Sequence, residues 1–320
     1  MAATVRVGVI GTGFGAAVVA PAFAAQDACT VVDVVTPRDD AAVARLCARR
    51  DLDLVSVHSP PFLHVRDVRQ AIDHGHAVLC DKPFGLNAGE SATMLDLATE
   101  AGVVNLLNFE RRFDPTRQRL RELVLDGTVG EPAHFQYSRF IAVPQPRLYG
   151  WLSSKELGGG WLGGQGSHLI DACRWLFGEI TDAAAVMRTP VAERPDANGV
   201  LQRCDAEDGF AAVLRTTTGV TAVIDCALES AVSTPERTVV FGSTGTLEIG
   251  DAGVVRRGLD GEVETYEVDL QGRVPLVAAM ERWASVVCEA TRTGVVEAGS
   301  PTFADGLACA MVMDRIRRST

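Results

Sequence analysis

Short apolar runs, spaced by helix-length stretches, set the rhythm of the first third of the chain. Val5-Arg-Val-Gly-Val-Ile10, Cys29 to Val35, Leu54-Val-Ser-Val57, Ala77-Val-Leu-Cys80 and Val103 to Leu107 are rich in valine, isoleucine and leucine and show little alternation. Runs of that kind suit strands buried on both faces, as in a parallel sheet. Between them, helices are predicted from about Phe14 to Gln26, near Asp39 to Arg50, from Val65 to His74 and from Glu90 to Ala101. Pro21 should kink the first, and Gly102 should stop the last.

From about Thr116 the pattern changes. A helix, Arg117 to Asp126, leads through Gly127 into alternating strands at His134 to Val143, Gly209 to Thr216, Val220 to Leu228, Thr238 to Gly242 and Val263 to Val268. Period-two patterning with turns such as Thr217-Thr-Gly219 predicts an antiparallel sheet. Gly158-Gly-Gly160 opens a helix near Gln165 to Phe177, and two helices close the chain near Pro275 to Arg292 and Thr302 to Arg317. The pattern therefore predicts two domains, residues 1–115 and 116–320.

Chemistry enters directly after the first strand. Gly11-Thr-Gly13-Phe14-Gly15-Ala16 is the dinucleotide fingerprint G-x-G-x-x-G/A with alanine in last place. Gly11 permits a tight turn, Gly13 lets the backbone approach a pyrophosphate, and the helix start offers its N–H groups to the phosphates. The glycines at 8, 11, 13 and 15 also break the apolar stretch from Val5 to Ala25, so it is not read as a secretion signal. Strand two would normally end in an acidic residue for the adenosine ribose. Thr36-Pro37-Arg38 stands there instead, and a hydroxyl with a guanidinium suits a 2′-phosphate, so NADP is expected in preference to NAD. Asp81-Lys82-Pro83 halts the fourth strand, since proline has no N–H for the ladder, and leaves Lys82 at the carboxyl edge where such sheets bind ligands.

With 320 residues and 47% hydrophobic content the chain can bury two cores. A net charge of −11 argues against nucleic acid or an anionic membrane surface as partner. The eight cysteines are scattered without metal-ligand spacing, so no metal site is expected and all are read as reduced core thiols of a cytoplasmic protein.

Together these motifs resemble the glucose–fructose oxidoreductase / inositol 2-dehydrogenase (Gfo/Idh/MocA) family over nearly the whole chain. The resemblance rests on Gly11-x-Gly13, His58-Ser59-Pro60-Pro with His64, Asp81-Lys82-Pro83, Asn108-Phe-x-Arg-Arg-Phe-Asp-Pro115, Gly158-Gly-Gly160 with His168-Leu-Ile-Asp171, and Phe241-Gly-Ser-Thr-Gly-Thr-Leu-Glu248. It implies a Rossmann-type doubly wound parallel sheet that binds NADP or NAD, and a C-terminal α+β domain with a large, mostly antiparallel sheet. That second domain would bind a sugar, cyclitol or related polyol and build a homodimer or homotetramer. The cofactor set it implies is Gly11, Gly13, Phe14, Gly15, Ser59, Pro60, His64, Asp81, Lys82 and Asn108, to which the reading of strand two adds Thr36 and Arg38. Lys82 and His168 would be catalytic, the lysine charge stabilising an alkoxide and the imidazole handling a proton. Arg112, Tyr149, Trp151, Gln165 and His168 are candidate substrate contacts, the two aromatics offering flat faces to a sugar ring.

Two departures stand out. The stretch between the second strand and Leu54 has no room for one family strand and its helix. The aspartate, sometimes asparagine, that the family carries four positions before the histidine is Gly164 here, and Gln165 would lie about 100° round a regular helix. That loss favours one alternative, a catalytically reduced NAD(P)-sensing regulator, and the resemblance itself implies a second, a nicotinamide-dependent glycosidase of the same superfamily.

Overall fold

A computed structural model describes residues 4–143 and 147–319. They divide into two compact units, one made of the chain up to Phe113 with Val274–Met311, the other of Asp114–Arg273 with the residues from Val312 on.

In the first unit, β1 (Val5–Ile10), β2 (Cys29–Val35), β3 (Leu54–Val57), β4 (Ala77–Cys80) and β5 (Asn105–Leu107) form a parallel sheet in the order β2-β1-β3-β4-β5. The apolar runs predicted these strands closely. Helices α1 (Ala20–Ala24), α2 (Asp40–Cys47), α3 (His64–Asp73) and α4 (Ala88–Ala101) connect them. A single helix separates β2 from β3, so the outer strand is missing as the short segment required. Strand order reverses between β1 and β3, which opens a crevice at the carboxyl ends there. Ahead of α1 the chain makes a π-helical turn, Gly15–Val19, where Ala20 N–H reaches Gly15 O. Pro21 follows at the first turn of α1, where its missing donor is tolerated.

The second unit begins with α5 (Pro115–Leu125), started by Asp114, whose carboxylate accepts from the N–H groups of Thr116 and Arg117. It continues with β6 (Pro132–Ile141), α6 (Ser167–Phe177), β7 (Ile180–Arg188), β8 (Glu193–Pro195), β9 (Leu201–Arg203), β10 (Gly209–Thr216), β11 (Thr221–Leu228), β12 (Arg237–Gly242), β13 (Gly245–Gly250), β14 (Gly253–Gly258) and β15 (Val263–Glu267). Eight strands form one sheet in the order β15-β14-β13-β12-β6-β11-β10-β7, and β8 and β9 make a separate hairpin. Among the described residues, β6–β11 is the one parallel pair of the large sheet. Buried Phe135 of β6 meets Phe177 of α6 with ring centroids 5.9 Å apart.

The chain closes with α7 (Pro275–Thr293) and α8 (Phe303–Ser319), and here two expectations are corrected. A contiguous second domain from residue 116 was expected, but residues 274–311 return to the first unit. The apolar stripe of α7 explains this: Met280, Trp283, Ala284 and Val287 join Val7, Val9 and Phe23 in one core, and Trp283 stacks on Phe113 at 4.6 Å. The outer limits of the expected domains, residues 1 and 320, lie outside the described residues. The same packing brings Cys288 to Cys29, and the two form a disulfide where eight free thiols were expected. The other six cysteines are buried thiols. Among the described residues no helix is long and apolar enough to cross a membrane.

Candidate active site

The glycine turn forms as its sequence dictates. Gly11 has φ +145°, and a Cβ there would stand 2.7 Å from the His58 carbonyl oxygen, so only glycine lets β1 turn beside the end of β3. A Cβ at Gly13 would meet nothing within 4 Å, which leaves its backbone open to a pyrophosphate. Phe14 begins the helical segment, with its ring tilted against His58 at 6.1 Å, and Gly15 is buried behind it. These residues fit a dinucleotide at the helix start. At the end of β2, Thr36 is half-buried and Arg38 exposed, while Asp39 caps α2 by accepting from Ala42 N–H at 2.9 Å.

The carboxyl ends of β3, β4 and β5 hold a tight polar cluster. Asp81 accepts from Lys82 N–H at 2.9 Å and from Asn108 Nδ2 at 3.3 Å on one oxygen. Its other oxygen lies 3.2 Å from His58 Nδ1, and His58 Nε2 lies 2.7 Å from Ser56 Oγ. Burial alone would raise the Asp81 carboxyl, but the His58 hydrogen bond and the charges of His58, Lys82 and His64 bring it down to about 2. Lys82 is half-buried and precedes a cis peptide to Pro83. Asn108 is fully buried and continues the strand pairing, its N–H on Cys80 O at 2.8 Å.

The loop after β3 is built around His64 rather than lined by it. That residue is fully buried, with Nε2 2.8 Å from Ser59 O, and burial carries its pKa down to about 4, so the ring is neutral at pH 7 and charged only in the acid range where Asp81 titrates. Ser59 is buried and Pro60 half-buried on the same loop. Arg112 is also committed within the unit. Its guanidinium donates to Gly299 O at 3.1 Å and to Asp305 at 2.8 Å, which ties the first turn of α8 and the segment before it to the 3₁₀ turn that follows β5.

Two residues of this cluster escaped the sequence reading. His58 was seen only as part of a loop motif, and its pairing with Asp81 depends on β3 and β4 lying side by side. Glu110 was the unspecified position of Asn-Phe-x-Arg-Arg. It is 3% exposed, and burial, opposed by the charges of Lys82 and Arg111, raises its carboxyl to about 7. A glutamate beside two arginines reads as a surface residue, so no sequence signal marked it.

In the second unit, the glycine run admits close packing. A Cβ on Gly160 (φ +107°) would collide with the buried Glu207 carboxylate, which accepts from Leu162 N–H at 3.0 Å. The chain then makes a π-helical turn, Leu162–Gly166, before α6. This irregular turn alters the regular-helix geometry expected between residues 164 and 168. Gln165 is buried and donates to Tyr137 Oη at 2.8 Å. A Cβ at Gly164 would lie 3.2 Å from Trp161 Cε3, so the indole occupies the space beside it. His168 is 4% exposed on the first turn of α6. Trp151 opens a short 3₁₀ turn and is half-buried, as is Tyr149, whose N–H donates to Pro195 O at 2.8 Å.

Comparison with known proteins follows the same division. A profile described as an oxidoreductase family with NAD-binding Rossmann fold matches residues 5–109, and one for the GFO/IDH/MocA C-terminal domain matches residues 117–248. An uncharacterised oxidoreductase of Synechocystis is 34% identical over 222 residues, 63% of this chain and 60% of the relative. The chain thus spans about three-fifths of that relative's length. Inositol 2-dehydrogenase of Mycolicibacterium smegmatis is 26% identical over 269 residues, 82% of this chain and 73% of the relative. A solved levoglucosan dehydrogenase in complex with NADH and levoglucosan superposes with a TM-score of 0.86 at 20% identity, covering 99% of this chain and 97% of that one. At that identity the likeness is one of fold.

Proposed function

Since the chain belongs to the Gfo/Idh/MocA family of oxidoreductases, we propose that it transfers a hydride between a nicotinamide dinucleotide and a sugar, cyclitol or related polyol. The observation that carries this is the polar cluster at the carboxyl ends of β3, β4 and β5, in the same sheet whose β1 ends in the open glycine turn. The bound nicotinamide would supply or accept the hydride. The turn at Gly11 to Gly15 binds the pyrophosphate through backbone N–H groups. Asp81, ionised and held by His58 and Asn108, fixes the Lys82 backbone and keeps a negative charge beside its ammonium. Lys82 Nζ then offers a charged hydrogen bond to the oxygen that gains negative charge on reduction. Proton transfer is assigned to His168, an imidazole being the side chain that most often serves as general acid or base.

Thr36 and Arg38, standing where an acidic residue would bind the ribose, support NADP over NAD. The exposed strip of Val186 on β7 and Val213 on β10 supports a homodimer or homotetramer built on the large sheet. The reading is tested by screening NADP and NAD turnover against sugars, cyclitols and polyols, with Lys82→Ala as control. Loss of the lysine is expected to cut turnover about 10²-fold or more while nucleotide affinity stays nearly intact. No turnover on any substrate, or a fully active Lys82→Ala protein, would refute it.

A further inference from the structure

The second unit holds a cavity of about 320 Å³ lined by Arg147, Arg194, Glu193, Glu229 and Ser230, with Val143 and Val191 as apolar walls. Behind it the charges form a closed ring. Arg194 reaches Glu229 at 2.8 Å and Asp208 at 3.1 Å; Arg147 reaches Asp208 at 3.4 Å and also pairs with Glu229. Three of the four side chains are strongly buried: Arg194 is 2%, Asp208 7% and Glu229 10% exposed. Burial raises the Asp208 carboxyl against the pull of both guanidiniums, whereas Glu229, also buried, is held below its ordinary value by the same two groups.

A purely structural staple would close on itself and leave no space. Buried ion pairs are costly to desolvate, and well-packed apolar side chains would hold the loops as firmly. Here the ring faces an open volume instead. Among the described residues Arg194 Nε, although buried, has no hydrogen-bond partner. Glu229 sits at φ +66°, a strained backbone for a non-glycine residue, and its carboxylate lies between the two arginines. Pro195 also lines the cavity, and its carbonyl holds the backbone of Tyr149.

We propose that this cavity binds one neutral polyhydroxylated ring, a pyranose or a cyclitol. A sugar hydroxyl donates to a carboxylate while accepting from a guanidinium, so a vicinal diol satisfies both members of an Arg–Glu pair. Glu193, Asp208 and Glu229 outnumber Arg147 and Arg194, which disfavours an anion such as phosphate. The volume lies at the lower end of the range for small-molecule sites and suits a single ring.

Binding is read without cofactor or turnover, so its outcome is separate from that of the redox proposal. The full chain, labelled with ¹⁵N-arginine, is titrated with methyl β-D-glucopyranoside, with myo-inositol and with inorganic phosphate. The Arg194 Nε–H resonance is assigned by its loss in Arg194→Lys. It is expected to move saturably with the glucoside or the cyclitol and not with phosphate. Ser230→Phe, which fills the cavity and keeps the charge ring, should weaken that response about tenfold or more, as loss of a hydrogen bond to a charged group does. Val191→Trp provides the same test from another wall. No movement with either polyol, movement with phosphate alone, or an unchanged response in both filled variants would overturn the proposal.

Discussion

Glu110 offers the sharpest physical test, because its environment predicts a stability effect with a definite sign. Its carboxyl is raised from 4.5 to about 7, chiefly by burial. A gap of about 2.5 units at 1.36 kcal/mol per unit corresponds to roughly 3 kcal/mol. The native state binds the proton more tightly than the unfolded chain, so this contribution is fully present below pH 4.5 and is lost as pH rises through about 7. Glu110→Gln keeps the shape and removes the titration. Urea unfolding followed by circular dichroism, on both proteins at pH 4.5 and pH 8, isolates the difference. The glutamine variant should gain on the unmodified protein by about 3 kcal/mol between the two pH values. The Lys82 charge opposes the shift, so Lys82→Ala should move the Glu110 titration further upward. A stability difference between the unmodified and Glu110→Gln proteins that stays constant from one pH to the other would show the reasoning to be wrong.

Arg38→Ala should collapse a preference for NADP, measured by titration with both nucleotides; equal affinities in the unmodified protein would sink the idea. Arg112→Ala should destabilise the first unit by about 1–3 kcal/mol, because it removes the charged hydrogen bond to Asp305 and frees the Gly299 carbonyl. A change confined to KM, with normal unfolding, would return Arg112 to the substrate. Gly164→Asp should cost about 1–3 kcal/mol through overpacking against Trp161, and Trp161→Leu should relieve it. An unchanged melting curve would mean that the indole gives way freely.

The parallel sheet was legible because each of its strands is a short apolar run, and the glycine turn because its spacing carries its own geometry. The second unit was read less fully. β7 (Ile180–Arg188) carries three consecutive alanines and a mostly exposed face, so its alternation is faint. Strands β13 and β14 are short and bounded by glycines, which read as turns. The destination of α7 could not be seen, since an amphipathic stripe states that a face is buried but not against which core. The Cys29–Cys288 disulfide joins positions 259 residues apart, beyond any local signal. Within the candidate site, the His58–Asp81 pair follows from β3 lying beside β4, and no local signal marks the burial of Glu110. The π-helical turn at Leu162–Gly166 also lay outside a reading built on regular helices.

The missing outer strand has a consequence for how copies of this protein meet. Without it, β2 is the last strand of its sheet, and among the described residues one row of its backbone groups has no strand beside it. Such a row is a template on which another chain can add itself, the first step towards insoluble assemblies. Two features blunt it. The register with β1 slips between Val7 and Gly8, so the strand is not a flat ribbon. Asp33, exposed in mid-strand, puts a carboxylate on that border and takes up the Val34 N–H at 2.8 Å. Shortening the sheet thus left the task of staying soluble at this border to one slipped register and one charge.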